Sequence, residues 1–242
     1  MRILLVSLTL LLAGCSTLFS SSSSSTGETF DNIAQMFDGS SAAGQGPTYG
    51  RSGPIPYRAM WDGYQARDGD YTGRDLTRIT LHELNFLPDE FYAFVPKDIR
   101  RWCPGFRRQG LEGRKAFYLG LISGIARFET DFRAHVKYLE AGGHYSRGIL
   151  QLGQLALSYY PEGRCDASGD PRQLHDLREN ISCGVMLVNH WVEKDGYIAS
   201  SGNVGDGDAR FYGSARYWST LRDYRKSYSE IQRFTRSLPV CS

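Results

Sequence analysis

The chain has 242 residues, with 28 Lys and Arg against 26 Asp and Glu, and 41% of its residues are hydrophobic. That length allows a sizeable core, and a formal net charge of +2 leaves no electrostatic footprint for nucleic acid. None of the five cysteines lies in a Cys-x-x-Cys pair and the five histidines show no ligand spacing, so neither a metal nor a cofactor is expected.

Met1-Arg2 is a short positive start, and Ile3 to Leu12 is an apolar run too short to span a bilayer as a mature helix. Residues 1–14 therefore read as an export signal peptide. The segment ends in Leu12-Ala-Gly-Cys15, which resembles a bacterial lipobox. That resemblance implies that Cys15 becomes the lipidated first residue of a periplasmic protein. Ser16 stands where an Asp commonly signals inner-membrane retention, so outer-membrane residence is expected.

Residues 15–45 form a tether: Ser20 to Ser25 is an unbroken serine run, and Gly, Ser and Ala fill most of the stretch beyond it. Such a composition buries too little surface to offset its ordering entropy. Residues 46–100 contain Pro54, Pro56, many aromatics and Leu81-His-Glu-Leu-Asn-Phe-Leu87. Short helices and loops, an N-terminal extension packed on the domain behind, are expected there. Residues 101–242 then make the main domain.

From Gly113 the pattern turns helical, with Phe117, Leu121, Gly124, Ile125 and Phe128 at three- and four-residue spacings. Asn180 to Trp191 reads as a second helix, and Ala209 to Phe234 carries aromatics and leucines at mixed helical spacing. Convincing alternating strands are missing from this half, so the fold class expected is mostly α, a single domain and a monomer. Cys103, Cys165, Cys183 and Cys241 remain after Cys15, and in an exported chain they allow three disulfide pairings. Cys165–Cys183 is favoured, because the Gly-, Pro- and Asp-rich segment between them has the look of a loop that needs a staple. Cys103–Cys241 would then tie the start of the domain to its end.

Glu129 is a lone acid in the apolar run Ile125-Ala-Arg-Phe-Glu129-Thr-Asp-Phe132. Glycosidic cleavage needs an acid that stays protonated near neutral pH, and a half-buried Glu among apolar groups supplies one. Seventeen residues later comes Ser146-Arg-Gly148-Ile-Leu-Gln151. The pair resembles the soluble lytic transglycosylase (SLT) and goose-type lysozyme families. Their catalytic Glu stands in Glu-Ser/Thr-x-Phe and is followed by Ser-x-Gly-Leu-Met-Gln. Asn180-Ile-Ser-Cys183-Gly184 is similar to their architectural Asn-Ile-x-x-Gly segment. Their third motif, Ala-Tyr-Asn-Ala-Gly, is degraded here, with Ala209-Arg-Phe-Tyr212-Gly-Ser-Ala-Arg-Tyr217-Trp218 as its nearest counterpart.

The resemblance implies a lysozyme-like, SLT-type domain acting on peptidoglycan glycan strands, with Glu129 as general acid and then base. Ser146, Gly148 and Gln151 would shape the sugar cleft, glycine through close backbone approach and the other two through hydrogen bonds. Either Tyr212 or Tyr217 would lie near the acid. The leading expectation is a lytic transglycosylase cutting the β-1,4 bond from N-acetylmuramic acid to N-acetylglucosamine and closing a 1,6-anhydro ring. A muramidase of the lysozyme type is the alternative; it usually employs a second carboxylate, for which Asp131, Glu140, Asp206 and Asp208 are available. A wall-binding lipoprotein without turnover is the third reading.

Overall fold

The structure is a computed structural model that describes residues 57–67, 69–153, 165, 170–202 and 211–242. The signal peptide, Cys15, the tether, Asp206 and Asp208 all lie outside the described residues.

The described residues form one compact unit. It is built of helices α1 (Gly73–Leu84), α2 (Asp89–Ala93), α3 (Ile99–Trp102), α4 (Leu111–Thr130), α5 (Leu177–Asp195) and α6 (Lys226–Ser237). An antiparallel meander, β1 (Lys137–Leu139), β2 (Tyr145–Arg147) and β3 (Leu152–Gly153), comes after α4, and a second pair, β4 (Ala199–Ser201) and β5 (Phe211–Gly213), comes after α5. The expected mostly helical class holds. The five strands went unnoticed in the sequence because none exceeds three residues, too few for a two-residue alternation to show itself.

The middle of α4 is its most apolar part, and every residue from Lys115 to Ala126 is buried. Helix α6 crosses it closely at glycines: a Cβ on Gly124 would lie 2.7 Å from Ile231, and one on Gly120 equally near Leu238. Helix α5 starts on Asp176, whose carboxylate accepts from Glu179 N at 2.9 Å, and ends on Gly196 in the left-handed region. Both ends thus satisfy backbone groups that a helix leaves open.

Side chains of the N-terminal segment enter the core. Trp61, Leu76, Phe91 and Trp102 are fully buried and belong to the same hydrophobic cluster as α4 and α5. Disulfides join Cys103 to Cys241 and Cys165 to Cys183, the two pairs favoured from the sequence. They close loops 138 and 18 residues apart in the chain, and by chain entropy alone such closures contribute about 5 and about 3 kcal/mol.

Candidate active site

Glu129 is the next-to-last residue of α4. Beyond it the backbone turns through two left-handed residues, Asp131 (φ 56°) and Phe132 (φ 67°), a conformation that non-glycine residues adopt only when their surroundings hold them. The surroundings come from the N-terminal segment. Phe132 packs against Trp61 and Tyr64 at 6.1 and 5.2 Å between ring centroids. The Tyr71 hydroxyl donates to Phe132 O at 2.8 Å and accepts from Ala134 N at 2.9 Å. Sequence reasoning gave these three aromatics no part in the site, and no motif marks them.

The half-buried Glu129 carboxyl accepts from Thr220 Oγ1 at 2.9 Å on Oε1. Its other oxygen has no hydrogen-bond partner among the described residues. Burial raises its pKa from 4.5 to about 7; the Thr220 hydrogen bond opposes that rise, the Glu140 charge adds to it, and Arg222 and Arg225 oppose it. Burial outweighs the opposing contacts because it disfavours the charge itself. Burial also raises the pKa of a second acid, Asp98. That carboxylate, however, accepts from Ile198 N, Ala199 N and Trp102 Nε1 at 2.8 to 3.1 Å. Asp98 is a fully engaged strut, whereas Glu129 keeps an oxygen for a ligand.

The Glu140 charge that acts on Glu129 comes from the hairpin of β1 and β2, one residue beyond β1. Its backbone extends the ladder by donating from Glu140 N to His144 O at 2.8 Å. Ser146 Oγ donates to Glu140 Oε1 at 2.5 Å and so fixes that carboxylate. Ser146 therefore orients an acid, where a direct contact with sugar was expected. Asp131, another acid considered from the sequence, is exposed and ion-paired with Arg127.

The expected glycine and glutamine roles also change. Gly148 has φ +74°, and a Cβ there would come within 2.1 Å of Leu174 O and 2.2 Å of Asn180 Nδ2. The backbone that approaches it belongs to the protein, so Gly148 is architectural. Gln151, itself at φ 48°, donates its amide to Gly148 O at 2.9 Å and Val136 O at 3.2 Å. Those donors close the turn and are not offered to a ligand.

Asn180 ties the same turn to α5: Nδ2 donates to Arg147 O and Leu174 O, and Oδ1 accepts from Leu150 N at 2.8 Å. Thr130 Oγ1 donates to Ile149 O at 3.0 Å and Trp218 Nε1 to Leu150 O at 2.9 Å. The second motif is thus a brace between the end of α4, helix α5 and the hairpin.

Of the two tyrosines, Tyr217 stands at the site. Its hydroxyl accepts from Gly153 N at 2.7 Å and donates to Gln151 O at 3.3 Å. Its pKa is raised first by burial and further by the charges of Glu129 and Glu140. Tyr212 lies on β5 against Tyr197 and Arg216 instead. Of the two, Tyr217 is the one on which the charges of Glu129 and Glu140 act. The His144 ring also lies beside Gly153, and like Thr220 it carried no sequence signal.

No protein-family model matches the chain, and a search of curated proteins finds no match. Among solved structures it is similar to Bd0314 DslA, wild-type form 2, with 26% identity over 76% of this chain and 98% of that one, at a TM-score of 0.62. Two glutamate-to-glutamine mutants of DslA match at 26% and 27% identity with a TM-score of 0.61. The chain and DslA share one fold, of the lysozyme-like kind.

Proposed function

We propose that the protein is a peptidoglycan-cleaving glycosidase, a muramidase that hydrolyses the β-1,4 bond between N-acetylmuramic acid and N-acetylglucosamine. One observation carries this reading: two glutamates from different elements act on each other electrostatically, one in an environment that raises its pKa to about 7 and the other fixed by a serine. Glu129 and Glu140 are eleven residues apart. The two positions changed from Glu to Gln in the DslA mutants are also eleven apart.

In the proposed reaction the free oxygen of Glu129 delivers its proton to the glycosidic oxygen as the bond from C1 breaks. Positive charge develops at the muramyl C1, and the Glu140 carboxylate stabilises it. Water adds to C1 and passes a proton to Glu140; Glu140 then releases that proton to solvent, and Glu129 takes one from solvent, so both carboxyls return to their starting states. Thr220 holds the acid's other oxygen, so the proton faces the substrate.

Lytic transglycosylation is the second reading, favoured by the order and spacing of Glu129 and Ser146-Arg-Gly-Ile-Leu-Gln151. There Glu129 alone suffices: after giving its proton it takes one from the muramyl C6 hydroxyl, which closes the anhydro ring. Mass spectrometry of products from purified wall sacculi separates the two. Muramic acid ends that borohydride reduces support hydrolysis; ends lighter by one water and resistant to reduction would replace it with transglycosylation. Sacculi that are bound tightly but never cleaved would favour a wall-binding protein.

We place the protein in the periplasm, held to the outer membrane by lipid on Cys15. Among the described residues no helix is long and apolar enough to cross a membrane. A lipid mass on Cys15 of the exported chain is the result this localisation requires.

A further inference from the structure

The hairpin of β1 and β2 is unusual in what it leaves in water. Of the six large hydrophobic side chains exposed among the described residues, it holds three: Tyr138, Leu139 and Tyr145. Single exposed apolar residues are ordinary, but a concentration beside a reactive group marks a contact surface.

The register sorts these three onto two faces. Residues directly opposite in an antiparallel pair share a face, and neighbours along a strand alternate. Leu139 opposes Tyr145 and Lys137 opposes Arg147, so these four lie on one face. There the Tyr145 ring is already engaged by Lys137 and Arg147, each with its charge about 5 Å from the centroid.

Tyr138 opposes Ser146 on the other face. That face also holds Glu140, two residues along from Tyr138 and bonded to Ser146. Ser146 is paired in turn with Gly153, whose N–H is held by Tyr217. A row therefore runs Tyr138, Ser146, Gly153, Tyr217 across the sheet, with Glu140 beside it. Tyr138 is 63% exposed, and no ring, cation or hydrogen bond among the described residues engages it.

From this placement we infer that Tyr138 is a stacking platform for a sugar ring of the glycan strand, in the position next to the bond that Glu129 protonates. The inference rests on the glycan-cleaving reading above. A pyranose presents an apolar face of C–H groups, and an aromatic ring free on one side and fixed at its backbone matches it. The ring brings contact area at small entropic cost and no charge. Placed on the Glu140 face, it would hold the strand in register with both carboxylates.

The test uses the full-length chain and glycan strands freed of peptide. Tyr138→Ala should raise KM by about tenfold, with kcat and the pH at which activity falls left as in the wild type. Tyr138→Phe, which keeps the ring, should stay within about twofold of the wild type. Binding is then measured by calorimetry in the Glu129→Gln background, where turnover cannot interfere. Adding Tyr138→Ala there should weaken Kd by the same factor, at low salt and high salt alike, because stacking carries no net charge. Unchanged KM and Kd in Tyr138→Ala would overturn the platform, as would a loss in Tyr138→Phe equal to that in Tyr138→Ala. A protein that cleaves nothing, yet binds glycan strands in a Tyr138-dependent way, would remove the proposed reaction and leave the platform standing.

Discussion

Glu129 ends a helix in which every residue from Lys115 to Ala126 is buried, whereas Glu140 extends a hairpin whose Lys137, Tyr138, Leu139 and Tyr145 all face water. The helix brings its acid into low-dielectric surroundings, and the pKa rises to about 7. Among the described residues, the hairpin holds the side chain of its acid by one serine hydroxyl. Two glutamates of identical chemistry thus stand in different surroundings, and the proposed reaction assigns proton delivery to the first and proton acceptance to the second. What separates them is the packing of the elements that carry them.

The most severe way to break that pairing is Glu129→Gln, which keeps shape and removes the proton. Wall-cleaving activity should fall at least a hundredfold, read as release of soluble muropeptides from sacculi. The same substitution should stabilise the fold at neutral and alkaline pH. An acid whose folded pKa lies above its unfolded value holds its proton longer when folded, so its ionisation costs stability as pH rises from 4.5 through about 7. The amide escapes that cost, and the gain above pH 7 is up to about 3 kcal/mol, measured by denaturant unfolding at pH 5 and pH 8. A mutant of undiminished activity would remove Glu129 from the chemistry.

Next in size is Glu140→Gln. If the hairpin acid accepts the proton of water, hydrolysis should drop by roughly ten- to a hundredfold. Removing a like charge should also let Glu129 ionise more readily, so any residual activity falls off at lower pH than in the wild type. Ser146→Ala should show the same trend more weakly, since it removes only the hydroxyl that fixes Glu140. Retained activity with anhydro products in Glu140→Gln would turn the comparison around, leaving a single working acid.

The two regions also differ in how much of them could be read in advance. Spacing of Phe117, Leu121, Ile125 and Phe128 places helix α4, and an acid in an apolar run identifies Glu129. Both signals are local, because helical periodicity and burial are written in neighbouring residues. Glu140 was visible only as one acid among four. Its selection depends on strand pairings of two or three residues and on a hydroxyl six positions away. The same reason hid Thr220, which reaches Glu129 across 91 residues, and Tyr71, which reaches Phe132 across 61. Gly148 and Gln151 were recognised as a motif but given to the ligand. Their contacts with Asn180, Leu174 and Val136 show them spanning the turn instead.

The finest adjustment to the pairing is at Thr220, whose hydroxyl is the strongest of the contacts favouring the ionised form of Glu129. Thr220→Val preserves the β-branched shape and removes that donor. With less to stabilise its charge, Glu129 should keep its proton to higher pH, so the alkaline limb of kcat/KM moves upward. Below pH 6, where the acid is protonated in both proteins, the rates should agree within about twofold. Glu140→Gln moves the same limb downward, so the two variants bracket the wild type from opposite sides. The pair tests whether the charge across the site and the hydroxyl beneath it act on one carboxyl. An unmoved limb in Thr220→Val would mean that the hydroxyl serves only to orient the acid, and a limb that moves downward would overturn the assignment of that hydroxyl as a contact favouring the ionised form.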